Sequence, residues 1–376
     1  MLDILRQANR LDQDGQDVIH LEAGQPAGGA PQTVRDAARA ALDRDRIGYT
    51  EALGMPALRA RIAAHYQDHY GIAVAPDRIA VTAGSSAAFV LTFLACFDAG
   101  DRVGLVEPGY PAYRNILHAL GIETVQIPVG PETGWSPTPE LVREAEARHG
   151  ALAGLMVASP ANPTGAMVPK TGLKALIAAA AARGQWFLSD EIYHRLTFGE
   201  AATTALAFSD EAIVINSFSK YYGMTGWRLG WLVVPERLVR PLEQLSQHLF
   251  ISPPTLSQIA ALAAFDATLE LDARVRTYAD NRALLLEKLP QAGLDRFAPS
   301  DGTFYLYADV SRFTDDSVEF CYRALREARV AMTPGLDFDP RRGHHFVRLS
   351  FAGATADMNE AVRRLTRWLT DFTPTG

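Results

Sequence analysis

The sequence predicts an α/β protein. Its large domain has a mostly parallel, doubly wound sheet with flanking helices, and a smaller α+β domain is formed by the N-terminal segment and the C-terminal part. Three observations carry this expectation. Short apolar runs alternate with helix-length segments through the middle of the chain, the pattern of βαβ units. Runs such as GLMVAS (154–159) and AIVINS (212–217) are apolar at nearly every position, as in strands covered on both faces. The chain has 376 residues, more than the roughly 250–300 that one hydrophobic core serves.

In order, strands are expected at Arg78–Thr82, Arg102–Glu107, Glu123–Ile127, Leu152–Ser159, Trp186–Asp190, Ala212–Phe218 and Leu229–Val234. Helices are expected between most of them, at Ser86–Phe97, Pro111–Leu120, Pro139–Arg148 and Thr171–Arg183, where the alanine run 178–182 is helix filler. Past Pro235 the pattern changes. Two or three long helices run to about Leu289, followed by a strand at Gly302–Val310, a helix near Ser317–Arg329, a strand at Phe346–Phe351 and a last helix at Thr355–Phe372. The expected division is 1–27 as an N-terminal arm contributing to the small domain, 28–280 as the large domain and 281–376 as the small one.

Hydrophobic residues make up 48% and charged residues 21%, the balance of a globular enzyme. A net charge of −7 argues against a nucleic-acid or anionic-membrane surface, so any anion site must be built locally. The polar N-terminus lacks the apolar core of a signal peptide, and no apolar run is long enough to span a bilayer. Cys96 and Cys321 read as reduced thiols. A cytoplasmic location is expected.

Of the 36 basic residues, only Lys170, Lys174, Lys220 and Lys288 are lysine. Lys220 sits in SFSKYYGMTGWRLG (217–230), between an apolar run and a glycine-rich turn. Arginine stays protonated near neutral pH, whereas a neutral amine attacks a carbonyl to form an imine. An isolated Ser-x-Ser-Lys would be a solvated turn; the neighbours argue otherwise. A phosphorylated pyridine aldehyde needs a carboxylate for its ring nitrogen, donors for its ring oxygen, an aromatic plate and an anion site. Candidates lie at strand ends, where open α/β sheets place ligands.

Asp190 closes an apolar strand and could keep a pyridine nitrogen protonated, although acidic strand ends are common. Asn162, in SPANPTG, could meet the ring oxygen together with Tyr193; alone it would be a plain Asn-Pro turn. The segment VTAGSSAA (81–88) leads from a strand through Gly84 into a helix. The free N–H groups and dipole at that helix start suit phosphate, against the plainer reading of Ser85 or Ser86 as an N-cap. Ser217, Ser219 and Arg228 could complete that shell, and Tyr110 could stack on the ring. Arg348 lies in an otherwise apolar strand, where a bidentate carboxylate clamp explains it better than a solvated face.

These segments, in this order, resemble the class I/II aminotransferase family of fold-type I pyridoxal 5′-phosphate (PLP) enzymes, aspartate aminotransferase-like, from LEAGQP (21–26) through Arg348. The resemblance implies a Schiff-base lysine at Lys220, the ring-nitrogen aspartate at Asp190, O3′ partners at Asn162 and Tyr193, and the stacking aromatic at Tyr110. It implies phosphate ligands at Ser85, Ser86, Ser217, Ser219 and Arg228, and an α-carboxylate site at Arg348 with Asn162 and the Gly24 backbone. It also places at Tyr49 a tyrosine that reaches the neighbouring subunit's phosphate, hence a homodimer with shared active sites. Two departures stand out. Ser86 occupies the position where aspartate-specific members of one branch carry lysine, which favours a neutral or aromatic donor. Asp337-Phe338-Asp339 stands where many relatives have phenylalanine followed by glycine.

The implied activity is ping-pong transfer of an amino group from an L-amino acid to a 2-oxo acid. The main alternative is a PLP-dependent β-eliminating lyase, or a decarboxylase, on the same fold. A non-catalytic ligand-binding protein would call for an appended DNA-binding domain or basic charge, and a nicotinamide dehydrogenase for a G-x-G-x-x-G after the first strand. No metal is expected. His65 and His69 lack the glutamate of H-E-x-x-H and read as solvated helix residues.

Overall fold

The computed structural model describes residues 2–372. Its strands are β1 (Ile19–His20), β2 (Ile79–Thr82), β3 (Arg102–Glu107), β4 (Glu123–Pro128), β5 (Gly154–Ala158), β6 (Trp186–Asp190), β7 (Ile213–Ser217), β8 (Gly230–Val233), β9 (Tyr305–Asp309), β10 (Val330–Ala331), β11 (Thr333–Pro334) and β12 (Phe346–Ser350). Seven of them form a sheet in the order β2-β8-β7-β6-β5-β3-β4. Its members run parallel except β8, which is antiparallel to both neighbours. This is the mostly parallel, doubly wound sheet expected from the apolar runs. Every residue of β2, β7 and β8 is buried, which explains the absence of polar alternation.

Chain order fixes where a ligand can sit. From β3 the chain moves outward to β4, then returns to β5 on the other side of β3. That reversal opens a crevice at the carboxyl ends of β3 and β5. The loops leaving β3, β5 and β7 carry Tyr110, Asn162 and Lys220 respectively, and Asp190 is the last residue of β6.

A second sheet, β11-β12-β9, is antiparallel and places Arg348 on its central strand, opposite Tyr307 and Thr333. The N-terminal segment is laced to this part of the chain. Ile19 and Leu21 donate to Arg329 O and Ala331 O, and Leu21 O accepts from Ser350 N. Trp135, Ala298, Tyr307 and Phe338 form a small aromatic core beside β12.

The differences from sequence expectation are local. The helix near 317–329 is α-helical over Ser317–Arg323 and widens to a π-turn over Ala324–Ala328, ending at Arg329 in the left-handed region. The helical stretch after Pro235 breaks into Glu236–Phe250, Thr255–Leu262 and Thr268–Lys288, the first stop falling at Ile251 with φ 65° before Pro253-Pro254. Strands β1, β10 and β11 were not anticipated, since two residues leave no period to read. His65 is a correction: it is buried against Tyr66, Trp231 and Phe265 and is not solvated. Among the described residues, no cluster of His, Cys, Asp and Glu could hold a metal, and no helix is long and apolar enough to cross a membrane.

Candidate active site

Lys220 owes its position to a turn that bonds to itself. After β7, Phe218 N donates to Leu229 O, Met224 N to Phe218 O, and Gly223 N to Lys220 O. The half-buried lysine projects from this knot, and its Nζ donates to Gly24 O at 2.7 Å. The rings of Tyr193 and Phe304 lie 5.8 and 6.0 Å from Nζ. Burial, and then the positive charge of Arg348, bring its pKa down to about 8 against the opposing pull of Asp190. At pH 7 roughly a tenth of such amines are neutral, against fewer than about one in a thousand for an ordinary lysine.

Asp190 forms the floor. It is 2% exposed; Oδ1 accepts from Ile192 N at 3.0 Å and Oδ2 from the Tyr113 hydroxyl. Burial pushes its pKa up to about 6, although both hydrogen bonds and the Lys220 charge oppose the shift. Glu191, behind it, is also pushed up by burial, to about 7, while its Oε1 accepts from Ala205 N, Thr204 Oγ1 and Ser189 Oγ. Asp190 is thus a buried acceptor that a cationic N–H would suit.

Arg348 is 1% exposed and held on all sides. Nη1 donates to Asn162 Oδ1 at 2.9 Å, and Nη2 to Glu22 O at 2.9 Å and Thr333 Oγ1 at 3.4 Å. Its guanidinium carbon lies 4.1 Å from the Tyr305 ring and 4.7 Å from the Phe338 ring. The bond to Arg348 fixes the Asn162 amide with its oxygen turned to the arginine, which leaves the amide N–H₂ to donate elsewhere. Tyr193 and Tyr305 share a hydroxyl–hydroxyl bond of 3.0 Å.

At the opposite end, Gly84 takes φ 80° and starts the helix Ser85–Cys96 with no side-chain cap. A methyl group at Gly84 would lie 2.4 Å from Arg228 Nη2, so only glycine lets the guanidinium approach. The first N–H groups of this helix, the hydroxyls of Ser85 and Ser86, and exposed Arg228 make an anion cradle.

These parts enclose a cavity of about 200 Å³. Of the residues singled out in sequence, Gly24, Ser85, Ser86, Tyr110, Asn162, Tyr193, Ser219, Lys220, Arg228 and Arg348 line it. Asp190 backs it through Tyr113, and Gly84 backs it through Arg228. Ser217 does not face the cavity: it is buried, its hydroxyl donating to Leu229 O and accepting from Ser219 N. Tyr49 lies outside, 83% exposed. Sequence reasoning missed Tyr113, Ile192, Thr225 and Tyr305, which also line the cavity. The one available signal was Tyr113's place three residues after Tyr110. A larger groove of about 730 Å³ shares none of these residues, and its charges largely pair among themselves, as in Arg364–Asp17 and Arg323–Glu327.

The donor set fits a phosphorylated pyridine aldehyde. It has a buried carboxylate floor, an amine of lowered pKa, a glycine-lined anion cradle at one end and a clamped arginine at the other. Comparison with known proteins gives the chain's family. Residues 16–365 match the family model described as aminotransferase class I and II. The valine–pyruvate aminotransferase of Mycobacterium tuberculosis is 53% identical over 94% of this chain and 91% of its own length. The aspartate/prephenate aminotransferase of Thermus thermophilus is 35% identical over 96% and 94% respectively. A crystal structure of an aminotransferase from Mycobacterium tuberculosis superposes with a TM-score of 0.95 at 51% identity, covering 98% of this chain and 96% of that one.

Proposed function

The chain belongs to the class I and II aminotransferases, and from that premise we propose that Lys220 is the covalent anchor for PLP and the base of the reaction. Transamination is the activity of the named relatives and takes precedence over the lyase alternative. The observation that carries the residue assignment is Lys220 Nζ, half-buried and of lowered pKa, between Asp190 and Arg348.

When bound, PLP supplies an electron-withdrawing ring that stabilises negative charge at the substrate Cα. Asp190 would hold the ring nitrogen, Asn162 and Tyr193 the ring oxygen, and Tyr110 one ring face. Ser85, Ser86, Ser219 and Arg228 would hold the phosphate; Ser217 contributes by fixing the Ser219 backbone. Arg348 would bind the α-carboxylate of both the amino acid and the 2-oxo acid, with Asn162 and the Gly24 backbone alongside. It is pre-oriented by Asn162, Glu22 O and the two aromatic rings. Lys220, once free, takes the Cα proton at Nζ, and burial together with Arg348 and Arg228 keeps enough of it neutral to do so.

The donor in this reading is a neutral L-amino acid. The cavity's cations are Lys220, Arg228 and Arg348, each with an assigned partner, which leaves none of them for a distal carboxylate. We also place the enzyme in the cytoplasm, a reading supported by its free thiols Cys96 and Cys321, and divide it at about residues 27 and 280. It acts as a homodimer in which Tyr49 reaches the partner's phosphate. Supporting this, Leu42, Ile47, Tyr49, Leu249 and Ile251 are large apolar side chains left exposed, and Thr255 Oγ1 ties Gly48 O to the 250s segment.

A panel of amino acids assayed against pyruvate and 2-oxoglutarate tests the donor class. Neutral donors should exceed aspartate in kcat/KM by at least about tenfold. Aspartate as the preferred donor would refute it.

A further inference from the structure

Asp339 is 2% exposed, and its carboxylate makes three hydrogen bonds within its own turn. Oδ1 accepts from the backbone N–H groups of Arg341 and Arg342 at 3.0 and 2.9 Å, and Oδ2 accepts from Arg342 Nε at 2.8 Å. Arg342, so aimed, crosses to the large sheet, where Nη2 donates to Glu107 O at 2.9 Å and Val129 O at 3.0 Å. Arg341 reinforces the crossing by donating through Nη2 to Glu107 Oε2 at 2.7 Å.

Phe338, the preceding residue, does two things. Its ring lies against the Arg348 guanidinium, and its carbonyl accepts from Gly109 N at 3.1 Å, one residue before Tyr110. The turn therefore touches both the carboxylate clamp and the aromatic wall while contributing no atom to the lining of the cavity. Its anchor is a single buried carboxylate whose bonds hold backbone and side chain together.

We propose that Asp339 is a positioning residue of the transaminase. Through Arg342 it fastens the 338–342 turn to the ends of β3 and β4, so that Phe338 keeps Arg348 and the Tyr110 segment in register for substrate carboxylates. This rests on the reading of Arg348 as the carboxylate site.

The test is steady-state kinetics of Asp339→Ala, Asp339→Asn and Arg342→Gln holoenzymes, with Arg348→Lys in parallel. Asp339→Ala should raise KM for both amino acid and 2-oxo acid about tenfold while kcat and PLP affinity each stay within about threefold. Asp339→Asn keeps an oxygen for the two backbone N–H groups but loses the charge facing Arg342, so it should raise KM about threefold. The Asp339→Ala/Arg342→Gln pair should be no worse than the more severe single variant, because both break one link. A merely structural role would lower Tm and the active fraction without moving KM. Wild-type KM in Asp339→Ala, or in Asp339→Asn should the alanine variant not fold, overturns the proposal. If Arg348→Lys raises KM and the Asp339 variants do not, only the positioning role fails; if Arg348→Lys leaves KM unchanged, the carboxylate reading itself fails.

Discussion

Lys220 and Asp190 are pushed toward each other in acidity by the same burial, the amine down to about 8 and the acid up to about 6. For the amine, the neutral fraction grows with pH up to its pKa. The rate at which apoenzyme captures PLP should therefore climb nearly tenfold per pH unit between 6 and 7.5 and level off above about 8, which stopped-flow absorbance would follow. A plateau reached only near the ordinary lysine pKa of about 10.4 would contradict the cause assigned here. For the acid, the sign is opposite. Folding raises its pKa, so its contribution to stability is full below about pH 4 and lost as pH rises through 6. Asp190→Asn apoenzyme should consequently be more stable than wild type by about 2 kcal/mol at pH 7–8, equal to it near pH 4, and slower in turnover by about a hundredfold or more. Denaturant melts at the two pH values check the first part, and kcat checks the second.

Among the elements, β12 and the helix after Gly84 make separable contributions. Arg348→Ala removes the clamp from the middle of β12 and should raise KM for both substrates by a hundredfold or so while PLP still binds. Gly84→Ala forces a side chain into the left-handed region and against Arg228, so the PLP dissociation constant should rise about tenfold or more with little change in KM. Fluorescence titration of apoenzyme separates the two. Much of this was legible in sequence, because strands such as β7 are buried on both faces and end at the cavity. Asn162, Asp190 and Lys220 could be read as strand-end chemistry for that reason. Tyr305 could not, and Tyr113 only through its place three residues after Tyr110. Each matters through a neighbour distant in sequence, Asp190 for one and Tyr193 with Arg348 for the other. Asp339 was visible only as a departure from a Phe-Gly pattern. Its work depends on how the turn folds back on Arg341 and Arg342, and no local period reports that.

At the scale of the molecule, the site draws on the N-terminal segment through Gly24, on the large sheet through Asp190 and Lys220, and on the antiparallel sheet through Arg348. Net charge argues against a nucleic-acid surface, but an assembly would be written in exposed side chains rather than in composition. If Tyr49 serves a partner, mixing Lys220→Ala and Tyr49→Ala subunits should restore activity above that of either variant alone, since one hybrid site has both residues. No recovery after subunit exchange would count against shared sites. The central claim, the anchor at Lys220, has the most direct test. Holoenzyme reduced with borohydride, digested and mapped by mass spectrometry should carry the pyridoxyl phosphate adduct on the peptide containing Lys220, and Lys220→Arg should carry none. An adduct on Lys170, Lys174 or Lys288, or active Lys220→Arg enzyme, would contradict the account.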